Sequence, residues 1–180
     1  MRCLPACVRR ARAAARPAGA FVRGCGCKMK IVLVTEANLR AAAEVHGASW
    51  RKSHAGICSD VFIAAHTTER QMGYIRDAMQ QGKCFYLLID DLPVAVVAVA
   101  DSIISDLYVL PTQQRKGYGT CLLRYAVSQC RNTPALWVLN TNEGARRFYQ
   151  KEGFDPTGVT KELSGSLYEI EMVYKEGCSK

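Results

Sequence analysis

A chain of 180 residues can bury one core of its own, and its formal net charge of +8 raises nucleic acid or an anionic membrane as partners until the charge is located. Residues 1–30 hold eight basic residues and no acid, while the other sixteen basics balance all sixteen acids. The body is therefore neutral and offers no electrostatic case for a nucleic-acid or acidic substrate, and no run reaches the ~20 apolar residues of a membrane span.

Residues 1–28 form a basic Ala/Arg/Cys-rich tail without periodic large aliphatics. Three readings stay open: a transit peptide, which its lack of serine opposes; a nucleic-acid-binding arm; or a disordered or spurious extension ahead of Met29. No long apolar segment argues for secretion, so the expected location is cytoplasmic. Residues 29–180 read as one domain. Nine cysteines include no CxxC pair, and Cys25-Gly-Cys27 has no histidine cluster at zinc spacing, so no metal site is expected.

In chain order, Lys30 to Val34 is a short strand. Thr35 or Asn38 can cap a helix in which Leu39, Ala42, Ala43, His46 and Trp50 recur at helical spacing. After the irregular stretch "SWRKSHAGICSD", a second helical pattern runs from Thr67 to Gln81, with Thr68 three residues ahead of Gln71, and Gly82 ends it. "CFYLLID", "PVAVVAVA" and "IISDLYVL" read as an antiparallel meander punctuated by Asp90-Asp91, Asp101-Ser102 and Pro111. A helix to about Cys130, the strand "ALWVLN", a helix capped by Asn142 and stopped by Gly153, and two strands near 154–160 and 167–174 complete a mixed α/β chain.

Between the third meander strand and its helix lies "PTQQRKGYGT". A strand, a glycine turn and a helix N-terminus together present unpaired backbone N–H groups and a positive dipole end, which suits an anion such as phosphate. Arg115 and Lys116 add charge there. The P-loop and dinucleotide fingerprints both fail: no Gly-Lys-Ser/Thr follows, and position 122 is leucine. Alone, Gly117-x-Gly119 fits an ordinary tight connection equally well.

Two spaced segments change that. Gln114-x-x-Gly117-x-Gly119, after "LYVLP", is similar to the pyrophosphate motif of the GNAT superfamily of acyl-coenzyme A N-acyltransferases. "NTNEGARRFYQKEGF" resembles that family's second signature at Asn142, Ala145, Phe148, Tyr149, Gly153 and Phe154. Upstream, "HGASWRKSHAGI" resembles the first-helix segment of small-molecule members. The resemblance covers about residues 30–174 and implies a GNAT-like mixed, mostly antiparallel sheet of about seven strands, with helices on both faces and a splay between strands 4 and 5.

The resemblance also implies acetyl-CoA as acyl donor and an acetyl-CoA-dependent N-acetyltransferase. Backbone groups of Leu107, Tyr108 and Val109 would bond the pantetheine arm, and one N–H there would polarise the thioester carbonyl, an effect on the order of 3 kcal/mol per donor. Gln114, Arg115, Lys116, Gly117, Tyr118, Gly119 and Thr120 would hold the pyrophosphate, and Asn142 would bond the arm. A free alkylammonium with pKa near ~10.4 is neutral to about one part in 10³ at pH 7, so a base should face the acceptor. Asp106 is the first candidate, with Glu36, His46 and His54 behind it. Tyr149 matches the tyrosine that protonates the leaving thiolate.

Each residue also has a plain reading. Tyr149 completes an apolar stripe, Asn142 is a good N-cap, Asp106 suits a solvated strand position, His46 and Trp50 suit packing, and Cys121 has no paired histidine. Members acting on protein N-termini tend to carry an acid on the fifth strand, five residues before the Asn; here that position is Trp137. A small-molecule primary amine is therefore the expected acceptor, and a homodimer one option for assembly. A non-catalytic acyl-CoA-sensing module, a protein or peptide N-acetyltransferase, and nucleic-acid binding through the tail remain the alternatives.

Overall fold

The computed structural model describes residues 29–56 and 58–175, so the expectations for the basic tail fall outside the described residues. The elements follow the order read from the sequence: β1 (Lys30–Leu33), α1 (Leu39–His54), α2 (Asp60–Ala64), α3 (Thr68–Gln80), β2 (Cys84–Asp90), β3 (Leu92–Ala100), β4 (Ile103–Val109), a 3-10 turn (Pro111–Gln113), α4 (Tyr118–Gln129), β5 (Ala135–Leu139), α5 (Glu143–Lys151), β6 (Phe154–Ser164) and β7 (Leu167–Tyr174). Short α2 was missed in the irregular stretch; Ser59 caps it by accepting from the Phe62 N–H at 3.3 Å. β6 runs to Ser164 rather than Thr160.

The strands form one seven-stranded sheet in the order β1-β2-β3-β4-β5-β7-β6. β1 is antiparallel to β2, β5 to β7 and β6 to β7, whereas β4 and β5 are parallel. The parallel ladder is short, pairing Ile103 with Ala135 and Ile104 with Leu136. β5 pairs with β7 along its whole length, from Ala135–Val173 to Leu139–Glu169. This is the mixed, mostly antiparallel sheet that the GNAT resemblance implied.

Two compact units make up the described chain, one holding residues up to Ala98 together with Asp106–Tyr125, the other Val99–Ser105 with the residues from Ala126 on. In the first, Val34, Leu39, Ala42, Ala43, Val45, Ile75, Ala78, Phe85, Leu87, Val96 and Ala98 form the core, with Tyr108 and Leu110 packed against it. β3 is buried at six consecutive positions, Val94 to Val99. Its unbroken apolar run is what burial on both faces requires. In the second unit Leu136, Val138, Phe154 and Met172 are buried, and Phe154 packs against Tyr149 and Tyr174 at ring separations of 6.0 and 5.3 Å.

Turn chemistry decides where the elements stop. Asp91 (φ +55°) and Asp101 (φ +54°) take the left-handed conformation at the two meander turns, which short polar side chains tolerate. Asn38 occupies the N-cap of α1 without capping it; its side chain instead accepts from Thr35 N–H at 2.7 Å and donates to Leu33 O at 3.1 Å, locking the chain before the helix. Thr67, not Thr68, caps α3 by accepting from Arg70 N–H. Cys58, Cys121 and Cys130 carry free thiols, while Cys84 is disulfide-bonded.

Gly82 (φ +97°) has open space where a Cβ would stand, but at Gly153 (φ +94°) a Cβ would lie 3.2 Å from the Tyr174 ring. Gly82→Ala should therefore cost about 1 kcal/mol through conformation alone, and Gly153→Ala visibly more. Urea unfolding of both variants checks the order.

Candidate functional site

The turn after β4 is built largely from its own groups. Gln113 N–H donates to Leu110 O at 2.8 Å, the Gln114 amide to Val109 O at 3.3 Å, and Lys116 Nζ to the Gln113 side-chain oxygen at 2.8 Å. Arg115 (φ +66°) and Gly117 (φ +85°) are both left-handed. Gly117 O then receives the first helical bond, from Cys121 N–H at 3.0 Å, so the N-terminal end of α4 opens at the turn. A Cβ built on Gly117 meets nothing within 4 Å. The turn stays open at its glycine, and residues Gln114 to Gly117 are exposed, as a phosphate cradle requires.

Just upstream, Asp106 takes φ +52° in the middle of β4. A left-handed non-glycine residue inside a strand interrupts its alternation and costs on the order of 1–3 kcal/mol, so it calls for a compensating structure. The compensation is local to the first unit. Oδ1 lies 3.3 Å from His46 Nε2 on α1, the Tyr74 hydroxyl of α3 donates to both carboxylate oxygens at 3.0 and 3.1 Å, and Lys83 Nζ stands 3.4 Å from Oδ2. Lys83 Nζ also stands 5.9 Å from the Tyr74 ring centre, and Tyr108 meets the His46 imidazole edge-on at 4.9 Å. His46 is buried, and its Nδ1 has no hydrogen-bond partner. Burial first, then the Asp106 charge and hydrogen bond, push the Tyr74 phenol far above the ordinary 10.0. It is a fixed donor across the physiological range.

Asp106, taken from the sequence as a candidate base or a solvated strand residue, is thus neither free nor solvated: its side chain is 13% exposed. Two of the weaker candidates are engaged elsewhere. Glu36 is gripped by Arg76 through two 3.0 Å bonds, which hold its carboxyl below the usual range. His54 stacks on Trp50 at 4.0 Å, and burial lowers its basicity. Burial raises the Cys121 thiol, against any nucleophilic use.

In the second unit, Tyr149 sits half-buried on α5, 5.3 Å from the Phe148 ring. Asn142 caps the same helix, its Oδ1 accepting from Ala145 N–H at 3.0 Å. Trp137 lies opposite Glu171 in the β5–β7 ladder. Sequence reasoning missed Tyr74 and Lys83 because neither stands in a motif. The signal was weak, a tyrosine on the polar side of α3 and a lysine just before β2.

Because folding raises the Tyr74 pKa, the native state holds its proton longer than the unfolded chain does. That contribution to stability is complete below pH 10.0 and is lost as pH rises above it. Alkaline unfolding should show this fall in the natural chain, and Tyr74→Phe should remove it. Asp106→Asn, which tolerates the left-handed backbone, should weaken it only in part, burial being the larger cause.

A family model described as an acetyltransferase (GNAT) domain matches residues 58–156, more than half of the chain. No curated protein matches. The fold is similar to the PaiA N-acetyltransferase of Thermoplasma acidophilum, solved with coenzyme A (TM-score 0.64, 22% identity, 82% of this chain and 99% of that one). It is also similar to a GNAT-family acetyltransferase from Bacillus cereus (0.63, 17%, 82% and 96%) and to yncA of Salmonella typhimurium, solved with acetyl-CoA (0.58, 16%, 84% and 96%). The family match contains Asp106, the entire glycine turn, Asn142 and Tyr149, and the chain belongs to the GNAT acetyltransferase family.

Proposed function

We propose that the chain transfers the acetyl group of acetyl-CoA to a primary amine of a small molecule, directly and without an acyl-enzyme. The observation that carries this reading is the open, left-handed glycine turn at the N-terminus of α4, downstream of the left-handed Asp106 in β4. The start of the helix, its dipole and the exposed Arg115 suit the donor's diphosphate. Lys116 is bonded to a neutral amide, not to a carboxylate.

Backbone groups of Leu107 to Val109 would align the donor arm, one N–H bonding the thioester oxygen as negative charge builds on it. Asp106 would draw the acceptor's ammonium and take its proton, leaving the lone pair to attack the carbonyl carbon. As the carbon–sulfur bond breaks, the Tyr149 phenol would supply a proton to the thiolate, and the proton shed by the nitrogen as it becomes the amide would pass through solvent to restore the phenol. Asn142, whose Oδ1 is used in capping, retains its NH₂ group for the donor arm. A small acceptor fits the neutral body and the tryptophan at 137.

One observation favours a second reading, an acyl-CoA-sensing module without turnover: the Asp106 carboxylate is already engaged by Tyr74 and Lys83. Titration with acetyl-CoA combined with thiol release over a panel of amines separates the two. Binding without release for every amine would sink the enzyme reading. Tyr149→Phe should lower turnover by about 10²-fold or more with donor affinity little changed, and Asp106→Asn should lower turnover in the same assay. Gly117→Val should abolish donor binding, since the space its side chain enters is empty of protein; a variant that folds and binds normally would contradict the cradle.

A further inference from the structure

The turn is tied down at both ends by bonds of different kinds. At its entry, Leu110 N–H donates to Val94 O of β3 at 2.9 Å, a main-chain bond indifferent to side-chain identity. At its exit, the Tyr118 hydroxyl donates to Asp90 Oδ2 at 2.5 Å, a partly buried contact across 28 positions of sequence. A phenol on a carboxylate at this separation is among the stronger hydrogen bonds a protein makes. Asp90 is the last residue of β2, and its place is set by the left-handed Asp91 that follows.

Tyr118 is also the first residue of α4, directly after Gly117. Between the two anchors stand left-handed Arg115 and permissive Gly117, the positions about which the peptide planes could swing. Aiming the N–H groups of 118–120 at one anion depends on where Tyr118 is held. The bond also covers the Asp90 carboxylate with a donor, which reduces its repulsion of a nearby diphosphate.

We infer that the Asp90–Tyr118 hydrogen bond is a latch that sets the glycine turn for diphosphate, making Asp90 a positioning residue for the donor. It acts through Tyr118 and touches no reacting atom. The inference rests on the proposed donor site, and its test separates the two. The full chain is assayed with acetyl-CoA and with S-acetylpantetheine, which carries the same thioester and no diphosphate.

The natural protein should prefer acetyl-CoA strongly. Asp90→Ala should weaken coenzyme A binding about tenfold while kcat/KM for S-acetylpantetheine holds. Asp90→Asn, whose carbonyl still accepts from the phenol, should lose less. Tyr118→Phe should reproduce the coenzyme A loss of Asp90→Ala, and thermal melts of all three should match the natural chain. A natural protein indifferent to the diphosphate would remove the donor-site reading itself. With that preference intact, the latch is overturned if the variants keep their coenzyme A affinity. Equal losses for both donors, or variants that melt early, would likewise overturn it in favour of a general role in stability.

Discussion

At Asp106 the fourth strand leaves extended geometry, and groups from three other places converge on one carboxylate: His46 of α1, Tyr74 of α3 and Lys83 just before β2. The left-handed backbone there costs on the order of 1–3 kcal/mol, and hydrogen bonds to a charged acceptor contribute about 1.5–3 kcal/mol each. The strain is stable because the surroundings over-determine it. Helices α1 and α3 are thereby fastened to the strand that leads into the glycine turn. Tyr108 and Leu110 on either side of that junction pack on the same core, so the path from Asp106 to Pro111 has little freedom.

Downstream of this constraint, the turn makes its own scaffold from side chains that a motif reading would reserve for a ligand. The Gln114 amide closes onto Val109 O, Lys116 onto Gln113 and Tyr118 onto Asp90. What remains exposed toward an anion is chiefly backbone. The proposed recognition would depend on two left-handed residues and a helix start, which is why glycine would matter at 117 while the flanking residues serve structure.

Other residues show how one side chain holds two readings at once. Asn142 is an N-cap with its amide nitrogen still available, and Tyr149 packs on Phe148 while carrying a phenol. For Asp106 the two readings compete, since the donors that hold it in place also occupy its lone pairs. A carboxylate has about four such sites, and an acceptor ammonium needs one.

Much of the fold was legible in the chain because its signals are local. Helical spacing located α1 and α3, unbroken apolar runs located β2 and β3, and the Asp and Gly punctuation falls where φ turns positive. The short α2 escaped because five residues hold no full period, and the extent of β6 escaped because its exposed stretch lacks an apolar face. The glycine turn and the tyrosine helix were equally readable as motifs. The companions of Asp106 were not: they lie 60, 32 and 23 positions away, and Asp90 lies 28 positions from Tyr118. Sequence alone determined which backbone can turn and which faces seek burial, since those follow from each residue and its near neighbours. Strand pairing and helix packing decided which charges and hydroxyls meet, because a hydrogen bond between distant residues exists only once the core has set the distance between their backbones.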